Sequence, residues 1–288
     1  MPHKELFICG HRSNIKADLK IPDNPLNVGI IMSHGGIVNR NSLSRSTLSL
    51  AEYFSRRLNA YVLTPDLLGE TIYDRDTIEY SDGVNLLSTC IDYLADEMGV
   101  DRILGFGHSM GCTLLADAAY YNPKMLAIST YGGPLSFERY WKLLNPLGKV
   151  MNKLEGHLSE ISLKKLMWIF DEETVSYYYN VMTKKKEYGS NHYNFDYPYQ
   201  YMMGFFRSFV NYTRELERWS KPSLVLYGKK DSFVRFSRFL FPDGYRDKKV
   251  LVKHIDNGCH VTPCREEPLE ILKMEPVIPF FQQIIDNY

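Results

Sequence analysis

The chain has 288 residues, of which 44% are hydrophobic and 24% charged, as in an ordinary globular protein. Lys and Arg together number 34, as do Asp and Glu, so no net charge favours nucleic acid or an acidic partner. No stretch approaches the roughly 18 apolar residues of a membrane span, and the N-terminus lacks the apolar core of a signal peptide. We therefore expect a cytoplasmic protein with no nucleic-acid or membrane partner.

The cysteines give no sign of a disulfide framework or a metal site. The five of them (Cys9, Cys90, Cys112, Cys259 and Cys264) are odd in number and contain no Cys-x-x-Cys pair. Reduced thiols are the simplest interpretation. No His, Cys, Asp and Glu cluster has metal-ligand spacing, and neither a Gly-x-Gly-x-x-Gly motif nor a P-loop occurs. The sequence predicts no metal and no cofactor.

Short apolar runs alternate with segments of helical periodicity along most of the chain. Strands are predicted at 6–9, 15–21, 28–33, 60–65, 103–106, 125–131, 223–227 and 249–254. Helices are predicted at 43–58, 84–98, 110–121 and 278–285. This order is typical of an α/β protein with a mostly parallel sheet and helices on both faces.

The alternation of predicted strands and helices is interrupted in the middle of the chain. From residue 134 to about 218 aromatic side chains are frequent, helix-like segments dominate, and no buried parallel strand is evident. We interpret 134–219 as a helical insertion between two parts of one core, 1–133 and 220–288.

Residues 107–111 read Gly-His-Ser-Met-Gly, between a predicted strand and a predicted helix. A turn this sharp strains the backbone at Ser109 and tolerates only glycine on either side, at Gly107 and Gly111. A serine hydroxyl needs a base, and the base needs an orienting carboxylate. Asp231 and His260 follow the two late strands and complete the order Ser, Asp, His, which is that of α/β-hydrolases.

Five pieces at strand ends resemble the α/β-hydrolase superfamily over essentially the whole chain. They are His34–Gly36, Pro65–Gly69, Gly107–Gly111, Gly228–Asp231 and Gly258–His260. The resemblance implies the α/β-hydrolase fold, with the insertion as a helical cap over the active site. It also implies that Ser109 is the nucleophile, His260 the general base and then acid, and Asp231 the group that orients it.

An oxyanion needs two preorganised donors. The N–H of Met110 is one of them. In relatives with a His-Gly pair at this position, the backbone N–H of the residue after the pair is the second donor. The resemblance therefore indicates the N–H of Gly36, with that of Gly35 as the alternative. Gly35 and His108 are the predicted substrate contacts. For His108, and for His34, shaping the loops by hydrogen bonding is the competing role.

The other candidates have structural interpretations. His254 lies within a strand, Asp66 is a turn residue, and Asp256 sits at the wrong strand end for the usual acid. The histidines assigned to the surface or to the insertion are His3, His11, His157 and His192.

The sequence therefore predicts a cofactor-independent serine hydrolase, first of all a carboxylesterase that forms an acyl-enzyme on Ser109. The aromatic residues of the insertion could give the cap an apolar underside, which would suit a hydrophobic acyl or aryl group. Alternatively, they pack the cap against the core, or their tyrosine hydroxyls contact a polar substrate. A thioesterase or acyltransferase would use the same residues, and C–C bond hydrolysis or ligand binding without catalysis also occurs on such scaffolds. The expected partners are a small-molecule ester or thioester and, as a default for oligomers, a second copy in a homodimer.

Overall fold

A computed structural model of the chain describes residues 2–10, 14–35, 44–67, 79–133, 160–162, 171–177, 196–198, 219, 221–232, 246–247, 249–265 and 268–288. The strands are β1 (His3–Cys9), β2 (Asn14–Lys20), β3 (Val28–Ser33), β4 (Tyr61–Pro65), β5 (Arg102–His108), β6 (Met125–Tyr131), β7 (Glu160–Ser162), β8 (Asp196–Pro198), β9 (Ser223–Gly228), β10 (Arg246–Asp247) and β11 (Val250–Ile255). The α-helices are α1 (Ser44–Leu58), α2 (Tyr80–Asp92), α3 (Met110–Tyr121), α4 (Pro268–Leu272) and α5 (Val277–Asn287).

Within the ranges just given, the central sheet has nine strands in the order β1-β2-β4-β3-β5-β6-β9-β11-β10. The six inner strands, β4, β3, β5, β6, β9 and β11, pair in parallel with their neighbours among the six. At the two edges, β1, β2 and β10 pair antiparallel. Every residue of β3 and β9 is buried, which explains their uninterrupted apolar sequences. The predicted class, a mostly parallel sheet preceded by a hairpin, is confirmed.

Helices cover both faces of this sheet. On one face, α2 and α3 bury apolar side chains such as Leu87 and Leu115 against the strands. On the other, α1 and α5 pack through Phe54 and Phe281, whose ring centroids lie 6.5 Å apart. Both layers follow from helical spacing in the sequence, since residues three or four apart share one helix face.

Two features depart from the predicted elements. The helix predicted to reach Met98 ends as an α-helix at Asp92 and continues as a single π-helical turn, Tyr93–Glu97. Within the predicted insertion, β7 and β8 form a two-stranded antiparallel sheet, and residues 172–177 are helical. The insertion is therefore not helical throughout, and most of 134–219 lies outside the described residues.

Candidate active site

The turn at Ser109 has the strained backbone that its flanking glycines predict. β5 ends at His108 and α3 begins at Met110, so Ser109 alone makes the turn, with φ 53° and ψ −121°. A non-glycine residue there costs about 1–3 kcal/mol and needs a supporting structure. The Ser109 N–H donates to the Tyr131 carbonyl at 3.0 Å, and the Cys112 N–H donates to the Ser109 carbonyl at 3.0 Å. These bonds hold the serine at the carboxyl edge of the sheet.

The glycines on either side let the turn approach its neighbours. A Cβ on Gly111 would overlap the carbonyl oxygen of Ser33, because the start of α3 rests directly on the end of β3. A Cβ on Gly107 would lie 2.9 Å from the Cα of Cys112. Both obstacles are backbone atoms, which cannot rotate away as a side chain can.

We expect Gly111→Ala to destabilise the protein by about 3 kcal/mol or more, as overpacking against backbone does. Gly99→Ala is the matched control, because Gly99 has φ +67° and no atom within 4 Å of an added Cβ. Its cost is only that of a left-handed alanine, about 1 kcal/mol. Urea unfolding of both variants measures the difference. Equal stability losses would show that α3 and β3 are not in close contact at this point.

The structure brings Ser109, His260 and Asp231 together in one hydrogen-bonded chain. The His260 Nδ1 lies 2.9 Å from Asp231 Oδ2, and its Nε2 lies 2.9 Å from Ser109 Oγ. The side chains of His260 and Asp231 are fully buried, while Ser109 is partly exposed. A carboxylate only accepts, so Nδ1–H donates to Asp231 and the Nε2 lone pair faces the serine hydroxyl. A proton can pass from Ser109 to the imidazole in this arrangement.

The loops that carry Asp231 and His260 are packed against each other. They leave the same edge of the sheet because β9 and β11 are parallel neighbours. A Cβ on Gly228 would overlap the Gly258 carbonyl oxygen, so the contact requires glycine. The Lys230 N–H donates to that same carbonyl at 2.8 Å. The distance between acid and base is thus set by backbone contacts.

Strand β6 supports the two loops from below. The Tyr131 hydroxyl donates to the Cys259 carbonyl at 2.9 Å, next to the histidine. Gly132, with φ +66°, follows at once, and an added Cβ would lie 3.1 Å from His260 Nδ1 and 3.3 Å from Asp231 Oδ2. A side chain there would strain the backbone and press on the bond between acid and base. Sequence reasoning missed this glycine, although a Gly-Gly pair at a strand end was a signal.

The predicted oxyanion donors are only partly within the described residues. Met110 is the first residue of α3, and the first N–H groups of a helix have no partner inside it. Gly35 lies close to the nucleophile, since an added Cβ would be 3.2 Å from the Ser109 Cβ. Gly36, the preferred second donor, lies outside the described residues.

The ring of His108 is buried among protein groups. Its Nε2 lies 2.8 Å from the backbone oxygen of His260, and its Nδ1 lies 3.4 Å from the Cys264 sulfur. Both nitrogens are thereby engaged within the protein, which conflicts with the predicted contact to substrate. His34 is also engaged, with Nδ1 2.8 Å from the Gly35 oxygen and Nε2 accepting from the Leu67 N–H at 3.2 Å.

Burial keeps both of these histidines neutral. Burial, with smaller contributions from nearby His260 and His34, lowers the pKa of His108 to about 3. Burial likewise lowers the pKa of His34, against the opposing charge of Asp66 at 3.9 Å.

We expect acid to destabilise the fold through these lowered pKa values. Below about pH 6.5, His108 binds a proton in the unfolded chain but not in the folded protein. The free energy of unfolding therefore decreases as the pH is lowered from about 6.5 to about 3. Between pH 6.5 and 5 the loss from His108 is about 2 kcal/mol. Urea unfolding of the parent and His108→Gln at both pH values measures it. Parallel losses in the two proteins would contradict the prediction.

The other candidates lie away from the catalytic chain. The Asp256 side chain is 80% exposed and pairs with Lys229 at 2.5 Å. His254 lies within β11, and Asp66 is buried beside His34. The histidines outside the described residues are His11, His157 and His192.

Part of the insertion is joined to the acid and base loops. Glu173 pairs with Lys230 at 3.3 Å and with Arg265 at 3.1 Å. The Tyr177 hydroxyl donates to the Cys264 carbonyl at 3.0 Å. Residues 171–177 therefore lie beside the loops that carry Asp231 and His260.

No group of three or more His, Cys, Asp and Glu side chains in the described ranges could hold a metal ion. The five cysteines are free thiols. None of the helices that can be described is both long and apolar enough to cross a membrane.

Solved structures similar to this chain share one fold. A carboxyl esterase from Bacillus coagulans has 17% identity and a TM-score of 0.70, with 99% of each chain covered. A soluble variant of monoglyceride lipase from Saccharomyces cerevisiae has 12% identity and a TM-score of 0.69, with 100% of this chain and 96% of that chain covered. Est1E from Butyrivibrio proteoclasticus has 15% identity and a TM-score of 0.62, with 98% and 99% covered. No protein-family model and no curated protein matches. The chain has the α/β-hydrolase fold.

Proposed function

We propose that this protein is a cofactor-independent serine hydrolase that cleaves a carboxylic ester. One observation carries the proposal: the chain of two 2.9 Å hydrogen bonds from Ser109 through His260 to Asp231. A general base within hydrogen-bond reach of a hydroxyl, itself oriented by a carboxylate, is the arrangement that activates a serine.

The reaction has two halves. Ser109 Oγ attacks the ester carbonyl while His260 Nε2 takes its proton, and Asp231 stabilises the imidazolium that results. The tetrahedral oxyanion is stabilised by the Met110 N–H at the start of α3, where the helix dipole favours negative charge. The second donor in this proposal is Gly36, or Gly35. His260 then protonates the leaving alcohol, and water, activated by the same histidine, releases the acid.

Two further points support an ester with a hydrophobic acyl or aryl group. Two of the similar structures are a carboxyl esterase and a monoglyceride lipase by name, and another is Est1E with ferulic acid bound. The insertion is rich in aromatic residues and methionines, which suit an apolar group beneath a cap.

A fluorophosphonate probe tests the activated serine directly. We expect one adduct per molecule, located on Ser109 by peptide mass spectrometry, and turnover of p-nitrophenyl esters that rises with acyl length. Labelling of a different residue, or of none, would overturn the proposal. Addition of an alcohol acceptor during turnover separates hydrolysis from acyl transfer, because a transferase would form the new ester in preference to the free acid.

A further inference from the structure

We propose that His108 is a positioning residue, whose Nε2–H holds the backbone of His260 so that the imidazole stays aligned between Ser109 and Asp231. The proposal rests on the function proposed above and adds a residue to its machinery. His108 directly precedes Ser109 in the chain. Its ring nevertheless contacts the backbone oxygen of His260, a residue 152 positions further along the chain.

The direction of this hydrogen bond follows from its acceptor. A carbonyl oxygen only accepts, so the proton lies on His108 Nε2 at 2.8 Å from the His260 oxygen. The other nitrogen, Nδ1, then carries a lone pair and accepts from the Cys264 thiol at 3.4 Å. Burial raises the pKa of that thiol, which keeps its proton available. A thiol that donates to Nδ1 therefore supports the tautomer of His108 that donates to His260.

The geometry explains why this bond affects the reaction. The bond to Asp231 acts on the ring of His260, and the ring cannot stay in place if its own backbone shifts. His108 adjoins Ser109 in the chain and bonds to the backbone of His260, so base and nucleophile are linked even with no substrate bound. A displacement near 1 Å at reacting groups costs about 100-fold in rate.

Two amide substitutions separate the donor from the bulk of the ring. Glutamine places its N–H₂ about where Nε2 lies, whereas asparagine is one methylene too short to reach the carbonyl. We expect His108→Asn to lower kcat by about 10- to 100-fold with KM little changed. His108→Gln should stay within about threefold of the parent, because its amide N–H can still donate to the His260 carbonyl. Active-site titration with the fluorophosphonate corrects each kcat for the fraction of folded protein.

A second readout does not require turnover. The Nδ1 proton of His260, bonded to Asp231, is expected to give a downfield proton resonance in the parent. We expect His108→Gln to keep this resonance and His108→Asn to shift or lose it. Unaltered kcat per titrated site together with an unaltered resonance in His108→Asn would overturn the proposal, even if its melting temperature fell.

Should His108→Asn not fold, Cys264 supplies an equivalent pair. Cys264→Ala removes the donor to Nδ1 and is expected to shift the resonance, whereas Cys264→Ser keeps an O–H donor and the parental signal. Identical spectra for the two variants would also overturn the proposal. If the parent protein is not acylated at Ser109, the proposed function fails, but the resonance still reports whether His108 aligns His260.

Discussion

Ser109→Ala is expected to lower kcat for an ester substrate by about 10⁴- to 10⁶-fold and to abolish fluorophosphonate labelling. The loss corresponds to about 5–8 kcal/mol of transition-state stabilisation. Alanine removes the only atom that attacks the carbonyl and leaves His260 and Asp231 without a proton to transfer. Oxyanion donors and substrate binding remain, and they account for the residual rate.

The same substitution leaves the fold intact on physical grounds. Alanine has the same Cβ, and the backbone bond of residue 109 to the Tyr131 carbonyl is retained. Ser129→Ala is a matched control on the neighbouring strand β6. Its hydroxyl is buried and has no hydrogen-bond partner among the residues the structure describes. Initial rates and active-site titration give kcat for Ser109→Ala and Ser129→Ala. A Ser109→Ala protein with more than a hundredth of the parental kcat would contradict an acyl-enzyme on Ser109.

Asp231→Asn is expected to lower kcat by about 10⁴-fold at neutral pH while leaving the fold in place. The amide has the same shape as the carboxylate, but it can present an N–H to His260 Nδ1 in place of an acceptor. The imidazole then carries its proton on Nε2, facing Ser109, and cannot accept the serine proton. The imidazolium of the transition state also loses its counter-charge.

Asp256→Asn is the control for charge and sequence position. Asp256 lies four residues before His260, is 80% exposed, and pairs with Lys229 at the surface. Exposed pairs contribute at most about 1 kcal/mol, so kcat should change less than about twofold. Comparison of kcat and circular dichroism for the two variants tests the assignment. Comparable losses in both would argue against Asp231 as the orienting group.

Much of the site was accessible from sequence because parallel strands expose their carboxyl ends at one edge. Ser109, Asp231 and His260 each follow an apolar strand, so the topology alone brings them to the same side of the sheet. The positive φ of Ser109 was likewise predicted, since glycines on both sides of a serine between strand and helix indicate a sharp turn, although a Gly-rich strand end was the alternative explanation. These inferences need only local pattern and strand order.

The contacts that tune the site were beyond such reasoning. His108 contacts His260 and Cys264 because the end of β5 and the loop after β11 lie next to each other in the fold. No residue spacing in the sequence predicts that the two segments meet. The sequence indicated that His108 shapes the loops by hydrogen bonding or contacts the substrate, but it did not indicate which groups its ring bonds. Strands β7 and β8 were missed because three residues are too few for an alternating pattern.

Gly132 makes the alignment of His260 depend on a residue outside the hydrogen-bonded chain. Ser109, His260 and Asp231 can all stay unchanged while a substitution at this glycine disturbs the bond between the acid and the base. Any Cβ would enter the 3.1–3.3 Å space beside the His260–Asp231 bond, in a backbone conformation that favours glycine. A screen for substitutions that impair the proposed hydrolase should therefore include Gly132 as well as the three residues of the hydrogen-bonded chain.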